Sequence, residues 1–401
     1  MPNDQVVTNW QIGIAALGWL LFGIWLVVAA IPSLWMIGRS LKRQSELIPD
    51  LAAWPKVSVI VPARDEGPKI EAGLRSLLNS DYPHIEVIAI DDRSRDETGA
   101  IMDRLAGDAT VRDRHSLAVR VIHITELPAD WLGKNHALHV GHQESAGDWL
   151  LFTDGDVVHR PDTLRRAVRY ALARNLDHLP LFPDIAAEGI LEAAFVACFG
   201  LIFTAGTQPW LVPTRISRFY VGVGAFNLVR RTALDRAGGF VPIKLDVMDD
   251  VKLGKLLKQT GSRAEVLRSA EALHIRWQQS AWACITGLEK NAFASADYSV
   301  LRLLWMMSVT AVVFFGPVVG AVFAGDSRAG FVAAAILSHG LFGFNAWLFG
   351  HSVWLFPMLM PSGAALIFAF LRSGWITLRQ GGVRWRDTFY PLNLLRQNVF
   401  R

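Results

Sequence analysis

No residue between positions 12 and 37 carries a charge. An unbroken apolar run of that length constrains the fold more than any other feature of the chain. In hydrocarbon every backbone polar group must be satisfied within its own segment, so the run is helical. It exceeds the roughly 20 residues needed to cross a bilayer, with room for tilt. A cleaved signal peptide is the alternative, but Asp4 is the only charge ahead of the run and no small-residue cleavage site follows. We therefore expect an uncleaved anchor over residues 1–38. Arg39, Lys42 and Arg43 come next, and the positive-inside rule places the following domain in the cytoplasm.

Three more uncharged segments, 303–324, 331–349 and 353–371, close the chain. They define a C-terminal transmembrane region at 301–372 with about three helices, followed by a basic juxtamembrane tail at 373–401. From Arg372 onward the sequence has six Arg and one acid, Asp387. That bias favours contact with anionic head groups; nothing else in the chain points to nucleic acid. The count and the charge disagree. Three crossings from a cytoplasmic domain put the tail outside, whereas its arginines favour the inside. Either one segment is re-entrant or the tail does not decide the topology, and we expect a cytoplasmic tail. A composition of 52% hydrophobic residues, with 15 Trp and 22 Phe concentrated toward both ends, fits a multi-pass inner-membrane protein with a soluble middle. Cys198 and Cys284 are the only cysteines and form no metal or redox spacing.

After an interfacial linker at 39–56, the soluble domain is expected over 57–300. Apolar strands at 57–61, 86–90, 119–124 and 149–153 alternate with helices near 68–79, 96–106 and 134–145. That βαβαβαβ pattern implies an α/β fold, a mostly parallel Rossmann-like sheet with helices on both faces. Residues 190–206 are apolar but only marginally long enough to span, so 190–220 is expected to lie along the membrane surface. Tyr220 to Arg231 is expected to form a strand with close backbone approach at Gly222 and Gly224. A helix is expected to open at Asp249-Asp250.

The fourth strand ends in Thr153-Asp154-Gly155-Asp156. Acids just past the C-terminal end of a parallel strand lie where open α/β sheets bind ligands. Two carboxylates around one glycine suit Mg²⁺ or Mn²⁺ bound together with a diphosphate. They also suit two solvated acids in a loop. Acids after the first, second and fourth strands, all on one edge, favour the functional reading. Asp249 and Asp250 serve either catalysis or the helix dipole. Lys134 at a helix start opposes that dipole, which hints at an anionic ligand such as a diphosphate. Gly222 and Gly224 admit a donor sugar or form a bulge. Arg64 and Arg93 reach phosphate or are solvated. His136, His139 and His142 diverge around their helix, and metal ligation by them is not expected.

Taken together, Val59-Ile60-Val61-Pro62-Ala63-Arg64-Asp65-Glu66, Asp91-Asp92-Arg93-Ser94-Arg95-Asp96 and Thr153-Asp154-Gly155-Asp156 resemble the family 2 glycosyltransferases of the GT-A fold. Trp131-Leu132-Gly133-Lys134-Asn135, Glu289-Lys290-Asn291 and Trp385-Arg386-Asp387-Thr388-Phe389-Tyr390 are similar to a membrane-anchored bacterial branch. That branch includes hopanoid-associated and carotenoid glycosyltransferases, with ceramide glucosyltransferases more distant. The resemblance implies that Pro62, Ala63 and Glu66 line a nucleotide pocket and that Asp92 or Asp91 binds the uracil or ribose edge. It implies that Asp154 and Asp156 hold a divalent metal (Mn²⁺ or Mg²⁺) and that Asp250 is the general base. The (Gln/Arg)-x-x-Arg-Trp motif of related synthases is half-formed: Arg276-Trp277 are present, but Leu273 takes the first place. Arg276 still has access to a diphosphate in this reading, while a processive synthase is disfavoured.

The expected function is a membrane-bound, inverting, metal-dependent transfer of sugar from a nucleotide-sugar donor, UDP-sugar favoured, to a lipid. The alternatives are a synthase of a short extracellular polysaccharide and a catalytically silent scaffold.

Overall fold

The computed structural model describes residues 2–108, 118–269 and 271–400. Its chain divides into two compact units. One comprises Gly38–Asp184, Thr207–Arg276 and Gln397–Arg401; the other comprises Met1–Ile37, Ile185–Gly206 and Trp277–Arg396.

The first unit is built on a seven-stranded sheet. Its strands are β1 (Val57–Ala63), β2 (Ile85–Asp92), β3 (Ala118–Ile124) and β4 (Trp149–Phe152), then β6 (His178–Phe182), β8 (Asn227–Arg230) and β9 (Leu267–Arg268). Three short segments, β5 (Val158–His159), β7 (Asp184–Ile185) and β10 (Leu273–Ile275), form a separate small sheet. The large sheet has the order β3-β2-β1-β4-β8-β6-β9. All its pairings are parallel except those of β8, which runs antiparallel to both β4 and β6. β1 is rich in Val and Ile and buried along its whole length, as expected for a strand covered on both faces. Ile60, Ile90, Leu150, Phe152 and Val229 of the sheet pack with Leu138 of helix Gly133–Glu144 and with Leu253 and Leu257 of helix Asp249–Gln259. That core seats two helix N-termini at the C-terminal edge of β1 and β4.

The expected strands and helices up to residue 156 are present, with ends shifted by at most two residues. One expectation is corrected. The strand expected from Tyr220 to Arg231 is confined to Asn227–Arg230, and 220–226 is irregular. The reason is physical: 224–225 bond to Thr153 and Asp154 just past the end of β4, where no strand among the described residues lies alongside.

The second unit is helical. Among the described residues five helices are long and apolar enough to cross a membrane: Asn9–Ile37, Ile190–Leu211, Val300–Phe323, Gly325–Leu348 and Val353–Gln380. The first helix runs antiparallel to Val300–Phe323, since Trp25 Nε1 donates to the Val313 carbonyl (3.0 Å) and Leu21 meets Gly316. It runs parallel to Ala329–Leu348, with Gln11 against Ser327 at one end and Ser33 against Asn345 at the other. The final segment is not one helix: Val353–Met358 is a 3₁₀ turn containing Pro357, and Leu359–Gln380 is the α-helix. The 3₁₀ turn packs on Gly343, and the helix runs antiparallel to Val300–Phe323, pairing Gly363 with Phe314 and Gly374 with Leu303. A hairpin of β11 (Gly382–Trp385) and β12 (Thr388–Pro391) follows.

Candidate active site

β4 stops at Phe152, and Thr153 and Asp154 leave the sheet at its C-terminal edge. Because β8 starts at Asn227 opposite Phe152, the loop ahead of it is drawn across that edge. The Asp154 amide donates to the Gly224 carbonyl (3.0 Å), and Thr153 Oγ1 donates to the Ala225 carbonyl (2.8 Å). From the other side, Asp250 Oδ2 accepts from the Gly224 amide (2.8 Å) and Oδ1 from the Val251 amide (2.8 Å). The loop is thereby held between the two acids.

Its glycines are needed for that closeness. A Cβ on Gly222 would lie 1.7 Å from the Asp250 carbonyl oxygen, and one on Gly224 would lie 2.7 Å from Asp154 Oδ2. Both values are far inside van der Waals contact, so no side chain fits without displacing an acid or its backbone.

Lys134, in the first turn of helix Gly133–Glu144, projects between the acids. Its Nζ is 2.7 Å from Asp154 Oδ1 and 3.2 Å from Asp249 Oδ2. Burial opposes its charge, yet Asp154, Asp249 and Asp250 outweigh burial and hold its pKa well above the ordinary lysine value. Burial, and then the neighbouring Asp249, push the Asp250 carboxyl up to about 6. Pro62, Lys134, Asp154, Asn227, Asp249 and Asp250 line one pocket. Asp156 is not among its lining residues; burial, followed by repulsion from Asp154, raises its pKa.

Pro62 and Ala63 are the last residues of β1, with Ala63 in register with Asp91 of β2. The amides of Glu66 and Gly67 both donate to Thr98 Oγ1 (2.9 Å). Arg64 Nε lies 3.9 Å from Asp65. Asp91 and Asp92, successive residues of one strand, face opposite sides of the sheet. Asp91 accepts from the Ser94 amide (3.1 Å) and sits 2.9 Å from His123 Nδ1. Asp92 is gripped by both arms of Arg93 (2.7 and 3.2 Å), and its Oδ2 closes on Gly133. Asp92 therefore shares the face that carries Lys134.

Arg276 follows β10 and Trp277 stacks on Phe199 (centroids 4.8 Å apart); neither lines the pocket. The three helix histidines share no common site: His136 and His139 pack on the Trp131 ring, and His142 pairs with Asp235. Asn227 and His123 escaped the sequence reading. Each reaches its partners only through strand pairing, which leaves no local spacing to detect.

Among the described residues no group of three or more His, Cys, Asp or Glu could hold a metal ion by itself. The donor chemistry of Asp154 and Asp156 nonetheless fits a hard divalent cation that completes its shell with phosphate oxygens and water. Two neighbouring acids, one with a raised pKa, are also what a cation would relieve.

Relatives include the probable glycosyltransferase YdaM of Bacillus subtilis, 28% identical over 198 residues covering 46% of this chain and 43% of that protein. The 4,4'-diaponeurosporenoate glycosyltransferase of Staphylococcus aureus is 28% identical over 152 residues, 37% of each chain. The chain thus spans less than half the length of these relatives. Among solved structures, a mannosyltransferase from Pyrobaculum calidifontis in complex with GDP-Man and Mn²⁺ aligns over 91% of this chain and 98% of its own. The two are 21% identical with a TM-score of 0.49. The family model that matches is Glycosyl transferase family 2, and residues 58–181 form a domain of that description.

Proposed function

We propose that this protein is a membrane-bound transferase that moves a sugar from a nucleotide-diphosphate donor to a hydroxyl of a lipid acceptor, with inversion at the sugar. The observation that carries the reading is the convergence of Asp154, Asp249 and Asp250 on Lys134 at the C-terminal edge of a sheet matched to family 2.

Sugar transfer develops positive charge on the sugar and negative charge on the leaving diphosphate. Lys134 supplies one fixed cation at that edge. A divalent cation held by Asp154 and Asp156 would supply the rest of the neutralisation. Asp250 takes the acceptor hydroxyl's proton during attack, a task for which a carboxylate with a pKa near 6 is suited. Asp249 holds Lys134 in place. Asp92, on the face that carries Lys134, fits the base or ribose edge better than Asp91 on the opposite face. Pro62, Ala63 and Glu66 would contribute the pocket wall.

The lipid acceptor is supported by five helices long and apolar enough to cross a membrane, and by the relative named for glycosylating a carotenoid acid. Helix Ile190–Thr207 lies between β6 and β8, which pair in one sheet. A single crossing would put those strands on opposite faces of the bilayer, so an interfacial or half-inserted helix is favoured. The same parity applies to the closing helices. Residues 397–400 pack in the sheet-bearing unit, which favours an even number of crossings after residue 300. The antiparallel return of Leu359–Gln380 along Val300–Phe323 supports a re-entrant 353–380 segment and a cytoplasmic tail.

The test is incubation of purified protein in nanodiscs with labelled nucleotide sugars and Mn²⁺. Label moving into the lipid fraction as single-sugar products supports the reading. Label appearing only as free sugar or as water-soluble oligosaccharide overturns the lipid acceptor.

A further inference from the structure

The last described residues fold back into the sheet-bearing unit, next to the candidate site. The Phe400 amide donates to Asp246 Oδ2 (3.0 Å). Its carbonyl accepts from Lys252 Nζ (2.7 Å) and Lys255 Nζ (3.3 Å). Its ring packs against the core cluster that contains Leu253, Leu256 and Phe240. Lys255 also faces the Phe400 and Tyr220 rings, 5.6 and 5.7 Å from their centroids.

These anchors belong to the site's own scaffold. Lys252 and Lys255 lie on helix Asp249–Gln259, within two turns of the acids that open it. Lys252 is buried at 4% exposure and is 3.5 Å from Asp246. An ammonium at that depth requires partners, and the Phe400 carbonyl is one of them. Asp246 extends the connection. Its backbone carbonyl accepts from Asn135 Nδ2 (3.0 Å), which also donates to the Ile243 carbonyl (2.7 Å). Asn135 is fully buried and adjoins Lys134. A chain of contacts thus runs from Phe400 through Asp246 and Asn135 to the residue that bridges Asp154 and Asp249.

We propose that residues 397–400 are a latch, with Phe400 a positioning residue that fixes the start of helix Asp249–Gln259 and the loop before it. The proposal rests on the transferase reading for its activity readout. Helix placement, not donor affinity, is what the latch controls, because the acids it positions serve the chemical step. The residues of the latch follow the membrane helices in the chain. The site therefore becomes complete only after the membrane region has been made.

The experiment uses the full chain in detergent, comparing wild type with Phe400→Ala and Phe400→Leu. Phe400→Ala is expected to lower kcat about tenfold or more, since small misplacements of reacting groups carry penalties of that order. The donor KM should change by less than about twofold, and Phe400→Leu, which keeps apolar bulk, should recover most of kcat. A Phe400→Ala kcat equal to wild type overturns the latch, as does a loss confined to donor KM. If Phe400→Ala does not fold, Lys255→Met removes one donor to the same carbonyl. A smaller drop in kcat then supports the proposal, and an unchanged kcat overturns it. If wild type transfers no sugar, the transferase reading fails, and hydrogen–deuterium exchange still decides the latch. Faster exchange in Asp249–Gln259 of the Phe400 or Lys255 variant supports it, and exchange equal to wild type overturns it.

Discussion

Lys134 Nζ lies 2.7 Å from Asp154 Oδ1, and the same ammonium is 3.2 Å from Asp249 Oδ2. One cation therefore joins the end of β4 to the start of helix Asp249–Gln259. Removing it leaves clustered carboxylates in a partly buried site, where unpaired charge is expensive. Lys134→Met is expected to lower kcat/KM by about a hundredfold or more. Lys134→Arg, which keeps the charge but not its compact shape, should be intermediate. Steady-state kinetics with a nucleotide sugar checks this, and wild-type kinetics in Lys134→Met would remove the lysine from the mechanism.

The pH dependence follows from Asp250. Its carboxyl is raised to about 6 by burial and by Asp249, and a base works only when unprotonated. We expect kcat/KM to rise with pH through about 6 and to level off above it. A profile that is flat between about pH 5 and 8 would assign the base elsewhere.

The two loop glycines should separate. A Cβ on Gly222 would overlap the Asp250 backbone, whereas one on Gly224 would meet the Asp154 carboxylate. Backbone yields less readily than a side chain. Gly222→Ala should therefore lose both stability, by ~1–3 kcal/mol as for overpacked cores, and activity. Gly224→Ala should keep most of its thermal stability and lose activity. Thermal unfolding in detergent alongside turnover measures both, and equal Tm losses would contradict the distinction.

Membrane topology is open to chemical labelling. Cys198 and Cys284 are buried and can be replaced to give a cysteine-free background. Single cysteines at Asp326, His351 and Asn398 then report three loops. With a re-entrant 353–380 segment, an impermeant maleimide should reach Asp326→Cys from the periplasmic face. The other two should label only after permeabilisation. Asn398→Cys labelled from outside would return the count to three full crossings.

These elements differ in how readable they were. β1, β2 and β4 could be read from the sequence because each is a continuous apolar run closed by acids, a purely local signature. The placement of Lys134 among acids was hinted at by its conflict with the helix dipole, but the partners were not: they are its own protein's carboxylates. β8 was overextended because hydrophobicity at 220–226 says nothing about whether a partner strand lies alongside. The 353–371 segment read as one helix because hydropathy ignores the direction of the chain, and the break at Val353–Met358 emerges only from packing on Gly343. The docking of Phe400 on Asp246 and Lys252 carries no local pattern and was invisible until the fold brought them together.

The most direct test is transfer by the purified full chain with Mn²⁺ and a panel of UDP- and GDP-sugars, for wild type and Asp250→Asn, with nucleotide binding measured in parallel. The account predicts metal-dependent label in the lipid phase for wild type. For Asp250→Asn it predicts loss of that label with nucleotide binding retained. Transfer by Asp250→Asn at the wild-type rate, or a wild type that neither binds nucleotide nor turns over, would contradict it.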